Sequence, residues 1–163
     1  MTKTRSPYPR AFRHAVEVYL RDVQTHLRLR DWTVTMDWTQ NAPDDAYACI
    51  IPTPNSKHAA VRLHPQFLTL SCADQRQTLI HELMHAHLFP THHLAVMMLE
   101  ETVRKPATIR VACMALEAEV EQVVDALADA FAVMCPPVPW RESEWGSSTS
   151  SRTMSSPRRP TTR

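Results

Sequence analysis

LIHELMHAHL, residues 79–88, places three histidines and a glutamate in one apolar run. Read at 3.6 residues per turn, Leu79, Ile80, Leu83, Met84 and Leu88 bury a helix and carry the polar residues between them inward. His81 and His85 stand one turn apart on one face, about 6 Å along the axis, so their rings can converge on one cation. Glu82 is displaced about 100° round the helix, beside such an ion instead of on it, where a carboxylate can hold a water. His87 points roughly 200° away from His85 and is read as a core or surface histidine. Burying His and Glu together without a partner is costly, and a metal supplies the partner. H-E-x-x-H thus offers two neutral nitrogen ligands and a general base, the set that zinc-dependent hydrolysis requires.

A catalytic zinc site needs a third ligand. The pattern H-E-x-x-H-x-x-G-x-x-H is excluded, because Leu88 stands at its glycine and Thr91 at its last histidine. In ALEAEVEQVVDALADAF, residues 115–131, Glu117, Glu121 and Asp125 share a helical face at i, i+4, i+8. Glu121 and Asp125 form E-x-x-x-D, in which the first carboxylate binds zinc and the second accepts a hydrogen bond from the far nitrogen of a ligand histidine. Glu121 is the expected third ligand, with Glu117 ranked after it. His92 and His93, just past Pro90, remain alternatives.

Upstream, Phe12, Val16, Tyr19, Val23 and Leu27 recur every three or four positions between Pro9 and Leu29, marking an amphipathic helix. Trp32, Val34, Met36 and Trp38 alternate with polar residues, as in a strand with one buried face. Residues 46–52 and 59–65 read as two more strands, and the short links favour an antiparallel meander. Asp74, with Gln77 three residues on, is expected to cap the zinc helix, and Pro90 to stop it. Residues 91–105 read either as a further helix or as an irregular lid. Pro106 opens a long helix to about residue 134. The expected fold is α+β and zincin-like: an N-terminal helix, a three-stranded mostly antiparallel sheet, the zinc helix and a long C-terminal helix. The expected division is a flexible N-terminus at 1–8, the domain at 9–134 and a disordered Pro/Ser/Arg-rich tail at 135–163.

Composition narrows the function. A chain of 163 residues with 18 Lys plus Arg against 17 Asp plus Glu is one ordinary globular domain, large enough to fold without a structural metal. Its net charge of +1 argues against a dedicated nucleic-acid or membrane-surface protein. Nucleic acid is expected at most as a weak contact of the basic tail. Neither a signal peptide nor a membrane span is read, so a cytoplasmic protein is expected. Cys49, Cys72, Cys113 and Cys135 form no C-x-x-C pair and are read as reduced.

His81-Glu82-Leu-Met-His85, followed by Glu121-Gln-Val-Val-Asp125-Ala-Leu-Ala128, resembles the two motifs of the gluzincin metallopeptidases, in particular the ImmA/IrrE-like group and related small phage-encoded enzymes. There the second motif reads roughly E-x-x-A-[ND]-x-F-A; here Val124 replaces the Ala and Leu127 the Phe. The leading helix and the Asp31-Trp32-Thr33-Val34 strand are similar too, over about residues 10–134. The resemblance implies zinc as cofactor, His81, His85 and Glu121 as ligands, Glu82 as base, and a protein or peptide substrate in a bacterial or phage-infected cell. In such enzymes a strand edge near the site pairs with substrate, which nominates AAVRLHP, residues 59–65. His92, His93 and Tyr47 are the donors available to an oxyanion. Two other readings stand beside it: a SprT-like protease with a third histidine ligand, and a non-catalytic binding or assembly protein that keeps the fold.

Overall fold

The computed structural model describes residues 8–141. It is α+β, with helix α1 (Arg10–His26), strands β1 (Thr33–Met36), β2 (Ala48–Pro52) and β3 (His58–Leu63), a 3₁₀ turn at Pro65–Thr69, and helices α2 (Cys72–Thr102) and α3 (Pro106–Ala132). Phe12, Val16, Tyr19 and Val23 form the buried stripe of α1, and Leu27 joins them in the core. On β3, Ala59, Val61 and Leu63 are buried while His58, Ala60 and Arg62 are not, so the sheet presents one face to the core. Leu79, Ile80, Leu83 and Met84 of α2 complete that core.

The sheet is mixed, not a meander. Its order is β1-β3-β2, with β1 parallel and β2 antiparallel to β3. Only β2 and β3 are joined tightly. The segment from residue 37 to residue 47 is long enough to cross from one edge to the other, and Ala42 N–H bonds the Leu63 carbonyl on the way. Asp37 holds Arg62 at 2.9 Å, tying that crossing to β3. Residues 59–65 therefore supply the central strand, and the edge expected there belongs to β2.

Helix α2 departs from expectation at both ends. Its N-cap is Ser71, whose hydroxyl accepts from Asp74 N–H at 3.1 Å and donates to the Asp74 carboxylate at 2.7 Å. Asp74 is the reciprocal partner in the first turn, and Gln77 instead donates to Asp129 of α3 at 2.7 Å. Pro90 lies inside the helix and does not end it. An interior proline removes one backbone hydrogen bond and costs about 3 kcal/mol in an isolated helix; packing offsets this. Phe89 meets Trp32 edge-on at 6.4 Å, and Leu88, Thr91 and Ala95 on either side of Pro90 share a groove with Leu116, Val120 and Val123 of α3. Residues 91–102 are thus helix, and the link to α3 is residues 103–105.

The packed part of the chain extends past both expected boundaries. Tyr8 is buried against Phe12 and Trp38. Cys135, Val138 and Trp140 belong to the core, with Trp140 edge-on to Phe12 and Tyr19 at 5.3 and 5.5 Å. Trp140 Nε1 donates to the buried Gln75 side chain at 2.5 Å. The flexible segment expected at 1–8 and the tail expected at 135–163 otherwise lie outside the described residues. No helix among the described residues is long and apolar enough to cross a membrane.

Candidate metal centre

Buried Val124, Ala128 and Ala132 form the contact stripe of α3. Their small side chains let its backbone approach α2, and the neighbouring face carries Glu121 and Asp125 toward His81 and His85. The two imidazole Nε2 atoms lie 3.1 Å apart. Glu121 Oε2 is 3.5 Å from His81 Nε2, and Oε1 is 3.5 Å from His85 Nε2. Among the described residues, one ligand atom from each of His81, His85 and Glu121 falls within 4.8 Å of the others. Two atoms that each sit 2.0–2.1 Å from a tetrahedral zinc are about 3.3 Å apart, so this triangle has the edge length of a zinc site.

The arrangement of donor atoms suits a cation. His81 Nδ1 is 3.0 Å from Asp125 Oδ1, so the neutral ring carries its proton on Nδ1 and aims the Nε2 lone pair at His85. Burial, the largest influence, lowers the His85 pKa against the opposing charge of Glu121. His85 is held neutral, the state a ligand needs.

Glu82 is buried, and burial pushes its pKa up to about 7; an Ile50 backbone hydrogen bond opposes this, and the Glu121 charge adds to it. The strand register explains the contact with Ile50. His64 N–H bonds the Tyr47 carbonyl and Thr53 N–H the His58 carbonyl, so odd-numbered residues of β2 bond toward β3. Even-numbered ones, Ile50 among them, face the free edge. That edge, with Ala48, Ile50 and Pro52, forms one wall of a cleft of about 470 Å³; His81, Glu82, His85, Phe89 and His92 of α2 and Val120 and Glu121 of α3 line the rest.

No family model, curated protein or solved structure matches this chain. The motifs and their geometry therefore carry the functional reading.

Of the other expected residues, His87 points away and bonds the Leu27 carbonyl at 2.6 Å, pinning α2 to the end of α1. Glu117 is exposed and outside the donor group. His93 stacks on Phe89 at 5.4 Å. His92 lines the cleft without joining the donor group. The part of β2 escaped the sequence reading, which had no signal for strand order. The tail beyond residue 141, expected to make at most a weak nucleic-acid contact, lies outside the described residues.

Proposed function

We propose that this chain is a zinc-dependent metallopeptidase of the gluzincin type, with His81, His85 and Glu121 as ligands and Glu82 as general base. The observation that carries the reading is the convergence of two Nε2 atoms and a carboxylate beside a buried glutamate, in a cleft walled by the edge strand β2. Zinc at this position supplies a Lewis acid that acidifies a water and polarises a carbonyl. Asp125 fixes the His81 tautomer and ring orientation. Glu82, raised toward neutrality, takes a proton from the attacking water and delivers it to the departing amine nitrogen as the C–N bond breaks. The Ile50 and Pro52 carbonyls, turned away from β3 on half-buried residues, give an extended peptide acceptors to pair with, which favours a polypeptide substrate. The motif resemblance adds a regulatory protein of the bacterial or phage-infected cytoplasm as the natural substrate.

The test is Glu82→Gln. The variant is expected to bind zinc as the wild type does while casein or peptide cleavage falls by about a hundredfold or more. Equal activity in the variant contradicts the mechanism.

A further inference from the structure

Three donors were open for the substrate carbonyl: Tyr47, His93 and His92. Tyr47 does not line the cleft, and His93 stacks on Phe89. His92 lines both the cleft and an apolar groove between α2 and α3 that shares Val120 with it. Because α2 continues through Pro90, His92 stands seven residues beyond His85 on the same face, about 10 Å along the axis. That is too far for both rings to share an ion. Helical side chains lean toward the N-terminus, however, so the His92 ring leans back along α2 toward His85 and the cleft that both line. Its Nε2 is buried and has no hydrogen-bond partner. An unpartnered buried ring nitrogen is destabilising, and in a native structure it asks for an explanation. His92 stands at the junction of groove and cleft, and its Cβ–Cγ torsion is soft, so a ring turn is the cheapest way to bring Nε2 to a partner in the cleft.

We infer that His92 is the residue that donates a hydrogen bond to the substrate carbonyl oxygen as it gains negative charge in the transition state. This rests on the peptidase reading and adds to it a donor from the same helix as the two histidine ligands.

The test compares wild type, His92→Phe, which keeps ring volume without the donor, and His92→Gln, which keeps a donor. The probes are a quenched peptide taken from a casein site that the wild type cuts, and the phosphinic analogue of that peptide, whose tetrahedral anion mimics the transition state. His92→Phe is expected to lower kcat about a hundredfold with little change in KM or zinc content. Phosphinate affinity should fall by a similar factor, and His92→Gln should recover at least part of both. Should His92→Phe not fold, His92→Asn, too short to reach the cleft, carries the same expectation. Unchanged kcat and phosphinate affinity overturn the inference while leaving the peptidase standing. Loss of zinc together with activity overturns it in favour of a ligand role. A wild type that neither binds zinc nor cuts casein ends the parent reading, and this one with it.

Discussion

Glu82 is where stability and chemistry oppose each other. Its carboxyl titrates at 4.5 in an unfolded chain and near 7 when buried in the metal-free fold. Between those values the folded state binds more protons than the unfolded one. The acid form's advantage is thus fully present below about pH 4.5 and lost as pH rises to about 7. The interval corresponds to about 3 kcal/mol. Metal-free Glu82→Gln is therefore expected to exceed the metal-free wild type in urea-unfolding stability by up to about 3 kcal/mol at pH 8, with the gap closing toward pH 4. No gain at pH 8 would mean that Glu82 is not held in a desolvated site. At this scale the sequence was most readable. Spacings of three and four on a helix fix which side chains share a face, so His81 with His85, Glu121 with Asp125, and the outward turn of His87 all follow from position alone. His92 did not follow, because its direction depends on whether the helix survives Pro90.

Elements were legible in kind but not in connection. The periods of α1, α3 and β1 predict them, and the N-cap of α2 was missed by three residues because Ser71 and Asp74 are both good capping residues. Proline in a helix and strand order are decided by tertiary contacts, which no local pattern encodes. The parallel β1–β3 pairing put β2, not β3, on the free edge and so moved the substrate wall to a different segment. Pro90 gives a direct check on α2. If the helix is continuous, Pro90→Ala restores an amide that can bond the Ala86 carbonyl and relieves the ring's clash, raising the thermal midpoint by an amount equivalent to about 1–3 kcal/mol. A chain that turned at Pro90 would instead be destabilised by the alanine, through added freedom of the unfolded state.

The molecule as a whole is closed by a segment its composition disguised. Residues 135–141 are rich in proline, yet Trp140 fills the space between α1 and α2 and caps the buried Gln75. Trp140→Ala is expected to cost about 3–5 kcal/mol in urea unfolding, through the cavity and the orphaned Gln75 oxygen. A loss under about 1 kcal/mol would show that this segment is not part of the core. With it in place, α2 and α3 are held so that ligands from two helices meet, and that meeting is the central claim. Zinc content of dialysed wild type beside Glu121→Ala, by elemental analysis, tests it most directly. One zinc per wild-type chain and a clear deficit in the variant are predicted; a zinc-free wild type, or a variant that retains the full complement, would contradict it.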